Sequence, residues 1–194
     1  MMLCRYFLCF AIYSFIGWAY ESLYYTLQQR KFVNSGFLST CFCPIYGVGA
    51  MVVWLFFKNI NNTFVLFLAG MITTSAIEYF VSWFLETVFG KRWWDYTGWP
   101  LNIKGRVCII AAMAFGTLSV LQVKLIAPIS MGLVMGLKPI ALYILTVIVA
   151  SVMIIDTVIS VKEVDSEDLW YVEKQSEIFG KDSIVKRIIN NLKR

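Results

Sequence analysis

Five charged side chains lie inside, or at the ends of, long apolar stretches of the sequence. They are Glu21, Glu78, Glu86, Arg106 and Asp156. A charge in hydrocarbon is costly, so such side chains usually line ion or substrate sites, relay protons or form structural ion pairs. Carboxylates in apolar surroundings can bind a cation or a substrate amine, or carry a proton, while an arginine balances their charge. The pattern predicts a polar site between membrane helices.

Composition indicates the class of protein that must position these side chains. The chain has 194 residues, of which 59% are hydrophobic and 15% charged, and its mean hydropathy is +0.71. A soluble domain of this length could not bury so much apolar surface, and the apolar residues come in long blocks. We therefore predict an all-α, polytopic membrane helix bundle in residues 1–161, followed by a polar cytoplasmic tail in residues 162–194.

Composition also argues against several functions. The chain contains no histidine, the usual general base and commonest metal ligand, and it carries no recognised catalytic signature. We expect no cofactor. Because no basic run is interleaved with stacking aromatics, we expect contact with membrane lipids but not with nucleic acid. The five cysteines lie in or beside apolar blocks, which favours packed thiols over disulfides.

Five apolar blocks are long enough, or nearly so, to span a membrane. They cover residues 6–27, 43–57, 63–89, 107–126 and 139–161. The first has no small-residue cleavage site, so we interpret it as a retained membrane helix. Residues 127–138 contain Gly132 and Gly136, and we interpret them as an interfacial or re-entrant link. The tail is predicted to end in a short amphipathic helix, with Ile184, Val185, Ile188, Ile189 and Leu192 on its apolar face.

The basic residues predict how the bundle is oriented. With the N-terminus outside, the inner segments hold roughly 13 of the 17 lysines and arginines. We therefore predict a multi-pass plasma-membrane protein with a cytoplasmic C-terminus. The helical rise then puts all five charges at similar depth near the cytoplasmic face, with Glu78 about 22 Å from the outer start of its helix. Ser75, Glu78, Ser82 and Glu86 follow at three or four residues and share one helix face.

The loop at residues 90–106 is dense in aromatic, basic and turn-forming residues. Its candidate functional residues are Arg92, Trp93, Trp94, Asp95, Tyr96 and Asn102. One alternative is an interfacial belt, with rings at headgroup depth and basic side chains on lipid phosphate. The other, which is compatible with the first, is a folded cap over the acidic face, in which Arg92 or Arg106 pairs with a glutamate.

The start of the second apolar block is rich in proline and glycine. The residues concerned are Pro44, Tyr46, Gly47 and Gly49. They are candidates for a broken helix lining the cavity, because proline lacks a backbone donor and glycine permits irregular backbone. A plain helix with Pro44 in its first turn is the alternative. On the first block, Gly17 would let another backbone approach closely beside Glu21.

Several motifs, in order and at matching spacing, resemble one bacterial membrane family. They are Phe15-Ile16-Gly17-Trp18 with Glu21, Lys31-Phe32-Val33-Asn34 with Gly36-Phe37-Leu38, Cys43-Pro44-Ile45-Tyr46-Gly47 with Gly49-Ala50, Glu78-Tyr79 with Glu86, Arg92-Trp93-Trp94-Asp95-Tyr96, Asn102 with Gly105-Arg106-Val107-Cys108, and Phe115-Gly116. Over roughly residues 5–160 the chain resembles the family called putative ABC-transporter permease, type IV (CmpB-like). It departs at Ser35, where that family often has arginine, and at residues 39–41, where a Gly-Pro pair is common.

The resemblance implies a membrane-spanning transport subunit. Because the chain has no P-loop, it also implies a separate ATPase subunit, and five helices are few enough that a homo-oligomer is a further candidate. Two other functions are open. An intramembrane enzyme acting on lipid headgroups would use paired carboxylates as acid and base, or around a divalent metal, and Lys91, Arg92 and Arg106 to hold phosphate. A scaffold or regulatory protein would use the same charges as interhelical salt bridges.

Overall fold

The protein is a bundle of helices. The computed structural model describes residues 1–166, with side chains through residue 162; its helices are α1 (Met2–Gln29), α2 (Pro44–Phe57), α3 (Thr63–Phe89), α4 (Ile109–Met135) and α5 (Pro139–Ser166). Four of them, all except the 14-residue α2, contain a segment long and apolar enough to cross a membrane. The predicted polytopic helical bundle is therefore confirmed. From residue 167 onward, the predicted amphipathic tail lies outside the described residues.

The fourth helix is longer than the sequence predicted. Residues 127–135, interpreted above as part of an interfacial or re-entrant link, continue α4 in the same direction. Pro128 has no N–H and its ring crowds the preceding turn, and the helix accommodates it with a π-helical turn at Gln122–Ile126. In that turn the Ala127 amide donates to the Gln122 carbonyl, five residues back. Only residues 136–138 separate α4 from α5, so the two helices run in opposite directions.

Helices α1 and α2 approach each other closely at two glycines. Gly17 on α1 lies against Tyr46, and Gly47 on α2 lies against Ser14, so closely that a Cβ at either glycine would overlap these side chains. The Cys43 amide also donates to the Ser14 carbonyl at 3.0 Å. The close approach predicted at Gly17 is confirmed, and it brings the start of α2 beside Glu21.

Helix α2 is unbroken from Pro44 to Phe57. Pro44 occupies its first turn, where the missing N–H leaves no intrahelical bond unmade. Gly47 and Gly49 are buried within the helix rather than forming irregular backbone. The segment is therefore a plain helix with Pro44 in its first turn, and the broken-helix interpretation is wrong.

Two loops close one end of the bundle, called here the loop end. They are residues 30–43 between α1 and α2, and residues 90–108 between α3 and α4. Phe37 of the first loop packs edge-on against Trp93 of the second, with ring centroids 5.6 Å apart. Helix α3 stops at Gly90, whose φ of 68° is the left-handed conformation that ends many helices.

The apolar core lies toward the opposite end, where α1 packs on the second half of α4 and the start of α5. Its buried members are Leu8, Cys9, Tyr13, Ala127, Met131, Val134 and Leu142. All five cysteines are free thiols, as expected from their apolar surroundings. The bundle therefore concentrates its apolar packing at one end and its polar contacts at the loop end.

Candidate functional site

Two glutamates from different helices line one cavity near the loop end. Glu21 on α1 and Glu78 on α3 both border a cavity of about 640 Å³. Glu21 accepts a 2.7 Å hydrogen bond from the Ser35 hydroxyl, and the Cys43 thiol lies 3.9 Å from its other oxygen. Glu78 is 4% exposed and accepts a 2.9 Å hydrogen bond from the Tyr96 hydroxyl. Neutral donors therefore surround both carboxylates.

No cation partners these two carboxylates in the described part of the chain. Its ion pairs all involve Glu86 or Asp95. Glu21 and Glu78 are near enough for their charges to interact, and Oε2 of Glu78 is buried without a hydrogen-bond partner among residues 1–162. Burial, with the nearby Glu78 carboxylate, raises the pKa of Tyr96 well above its ordinary value, so Tyr96 stays a hydrogen-bond donor. The site can therefore accept a positive charge or a proton.

Glu86 belongs to a separate, charge-balanced network. Its two oxygens face Arg92 Nε at 3.0 Å and Arg106 Nη1 at 2.5 Å. Arg92 also lies 3.7 Å from Asp95, and the buried Arg106 contacts the Ser82 hydroxyl at 3.4 Å. Both arginines come from the loop at residues 90–108, so this network fastens the loop to the end of α3. The network can stabilise the fold, but the Glu86 carboxylate is already paired with two arginines and is not free to bind a cation.

Asp156 forms a third polar contact. This buried carboxylate on α5 accepts hydrogen bonds from the backbone amides of Ser39 and Thr40, at 3.2 and 2.9 Å, and from the Thr40 hydroxyl at 2.5 Å. The Ser160 hydroxyl lies 3.5 Å away, one turn along the helix. Asp156 therefore ties the first loop to α5.

The structure thus divides the five predicted charges into three groups. Glu21 and Glu78 share the cavity, Glu86 and Arg106 pair with each other, and Asp156 lies with the first loop. Each of the four acids contacts one of the two loops, so all four are at the loop end. The four acids do not form a single site, because each one contacts a different hydrogen-bond donor or arginine of the loops.

The loop at residues 90–108 is folded over the end of α3. The Trp94 indole donates to the Arg106 carbonyl at 2.9 Å, and the Tyr96 amide donates to the Gly105 carbonyl at 2.7 Å. Asn102 closes the loop, because its side chain bonds both the Trp99 carbonyl and the Gly105 amide. These contacts are those of the folded-cap alternative, with Arg92 and Arg106 both paired to one glutamate.

Sequence reasoning overlooked Gln122. Its side chain is 5% exposed and lines the cavity from the π-helical turn of α4, and its amide nitrogen has no hydrogen-bond partner within residues 1–162. An amide in the middle of an apolar block was the available signal. Ser35 was noted only as a departure, yet it donates to Glu21. Over the described residues, no three His, Cys, Asp or Glu side chains are grouped to hold a metal ion.

Comparison with known proteins identifies the family. No curated protein and no solved structure matches the chain. A family model described as "Putative ABC-transporter type IV" (ABC_trans_CmpB) matches residues 8–161, which include all five helices except the start of α1 and the end of α5. The matched range contains both loops and every side chain of the cavity and the two polar networks. The chain therefore belongs to this transporter-related family, as a multi-pass membrane protein.

Proposed function

We propose that this chain is the membrane-spanning, permease-like subunit of a transporter, in which Glu21 and Glu78 bind a cation, a proton or the amine of a substrate. The observation that carries the proposal is the pair of carboxylates, from two helices, on one cavity without a lysine or arginine paired to them among the described residues. Buried carboxylates without cations cost stability, and they are usually retained for function.

Family membership also supports a role in transport. A transporter of the ABC type needs an ATPase, and the sequence contains no P-loop, so the ATPase would be a separate subunit. Five helices build a small bundle, and a second copy of the chain or another membrane subunit would complete a pathway. Contact with lipid follows from the apolar outer surfaces of the spans.

The proposed orientation puts the N-terminus outside and the C-terminus in the cytoplasm of a bacterial cell, in its plasma membrane. The excess of lysine and arginine on the loop-end side supports it. Residues 127–135 continue α4 and do not form an additional span, so the predicted side of the C-terminus is unchanged. The loop end, with both carboxylates, would then face the cytoplasm, where an ATPase subunit would dock.

A scaffold or regulatory protein is the second candidate. The network of Glu86 with Arg92 and Arg106 favours it, because these pairs fasten a loop to a helix and need no ligand to explain them. The network does not account for Glu21 and Glu78, which is why transport is the better-supported proposal.

The test is recovery of the tagged protein from its native membrane in mild detergent, with mass spectrometry of its partners. The Glu78→Gln variant is the matched control, since it alters the cavity and not the surface where a partner would bind. Stoichiometric recovery of a P-loop ATPase with both proteins is the expected result. Recovery of the chain alone, or only with copies of itself, would contradict the permease assignment and favour the scaffold.

A further inference from the structure

The cavity that holds Glu21 and Glu78 is much larger than a bare ion requires. Its volume of about 640 Å³ falls within the range of sites for drug-sized molecules, roughly 300–1,000 Å³. It is also long, because Ile110 and Gln122 both line it from α4 and lie about 18 Å apart along that helix. The occupant that fits is therefore an extended organic molecule.

The walls are mostly aromatic and aliphatic. Rings from α1, α2, α4 and both loops line the cavity, among them Tyr13, Tyr25, Tyr46, Trp94, Tyr96 and Phe115. Aromatic faces attract cations and also pack well against apolar groups. Such walls suit an apolar molecular body and would not reproduce the hydration of a metal ion or the many hydrogen bonds of a sugar.

The two ends of the cavity differ in charge. At the loop end, Glu78 is 4% exposed and its Oε2 has no hydrogen-bond partner among residues 1–162. Glu21 lies beside it, and neither forms an ion pair with a described lysine or arginine. At the far end, the buried Gln122 side chain lies beside the Tyr13 hydroxyl, and its amide nitrogen forms no short hydrogen bond within the same part of the chain. A positive group fits the first end, and a hydrogen-bond acceptor fits the second.

We propose that the cavity binds an amphiphilic organic cation, such as a lipophilic amine or quaternary ammonium, with its charge at Glu21 and Glu78 and its apolar body along the aromatic walls. The proposal deepens the proposed function, because it names the substrate class for the same cavity, and it rests on that function only for the step of transport. Binding itself depends on the cavity alone.

The test is equilibrium binding to the purified full chain in lipid nanodiscs, with three probes that separate charge from apolar body. Tetraphenylphosphonium has both, tetraphenylborate has the same body with the opposite charge, and tetramethylammonium has the charge without the body. Saturable binding of tetraphenylphosphonium alone is the expected result. Equal binding of the two tetraphenyl ions, or of tetramethylammonium, would overturn the proposal, and so would no binding of any probe.

Two variants make the test specific to the site. Glu78→Gln should weaken tetraphenylphosphonium binding at least tenfold, whereas Glu86→Gln should leave it unchanged, because Glu86 does not line the cavity. Size-exclusion profiles and circular dichroism establish that each variant is folded, and Asp156→Asn replaces Glu86→Gln if that variant is not. Unchanged affinity in Glu78→Gln would overturn the assignment. If an ATPase co-purifies but the probe does not bind, the substrate class is wrong and the proposed function stands.

Discussion

The Tyr96 hydroxyl donates a 2.9 Å hydrogen bond to Oε1 of Glu78, although the two residues are 18 positions apart in the chain. The bond joins the folded loop at residues 90–108 to the helix that carries the acid. It also determines which lone pairs of Glu78 remain for a ligand, because within residues 1–162 the other oxygen has no partner. The loop is therefore part of the site as well as a connection between helices.

Replacing Tyr96 with phenylalanine removes this bond without removing the ring. We expect the free energy of unfolding to fall by about 1–3 kcal/mol, because a buried acceptor loses its donor. Thermal unfolding in detergent measures the effect. Tyr143→Phe is the matched control, since Tyr143 is 48% exposed on α5, and it should change little. Equal effects of the two substitutions would mean that the Tyr96 bond contributes nothing.

The charge network makes a prediction about coupling between residues. In a double-mutant cycle, Glu86→Gln and Arg106→Gln should couple by about 1 kcal/mol, the upper end for partly exposed ion pairs. The control cycle combines Glu78→Gln with Arg106→Gln and should be additive, because no ion pair joins those residues. Strong coupling between Glu78 and Arg106 would contradict the separation of the cavity from the network.

The crossing of α1 and α2 predicts a contrast between two glycines. Gly17→Ala should destabilise the protein by about 1–3 kcal/mol, because the added methyl group would overlap the Tyr46 side chain. Gly132→Ala, on α4, has open space around its Cβ and should be neutral or stabilise the helix by up to about 1 kcal/mol. Unfolding temperatures of the two variants measure the contrast. A neutral Gly17→Ala would show that the helices can separate without cost.

Asp156 makes a prediction about local dynamics. Asp156→Asn removes one acceptor oxygen from the amides of Ser39 and Thr40 and introduces a donor there. Hydrogen–deuterium exchange should therefore speed up in the peptide that covers residues 38–42, by roughly tenfold for about 1.4 kcal/mol of lost protection. Exchange in residues 94–106 serves as the internal control and should not change. Uniform acceleration in both loops would indicate general destabilisation instead.

Much of the fold was predictable because apolar blocks of membrane length are an unambiguous pattern. The start of α2 at Pro44 and the end of α3 before Gly90 follow from the ordinary chemistry of helix ends. Residues 127–135 were misjudged because Gly132 and Gly136 resembled a break between helices. The helix accommodates Pro128 with a π-helical turn. Such a turn arises from a local adjustment of the backbone, and no residue type in the sequence predicts it.

The site was predictable only in part. Depth along each helix put the acids at one end of the bundle, but depth does not say which neighbours face each acid. The pairing of Arg106 with Glu86, rather than with Glu78, depends on how the loop folds, and so does the donor role of Tyr96. Both are tertiary contacts between residues that are far apart in the sequence.

We propose that Glu78 serves the function of the protein, whereas Glu86 serves its structure. The most direct measurement compares the unfolding temperatures of Glu78→Gln and Glu86→Gln with that of the parent protein in the same detergent. Replacing a buried carboxyl group that has no ion-pair partner among residues 1–162 should stabilise the protein, by up to about 1–2 kcal/mol. Removing the ion-paired charge should destabilise it, by about 1 kcal/mol. We expect shifts of opposite sign, and a loss of stability in Glu78→Gln as large as that in Glu86→Gln would contradict these two roles.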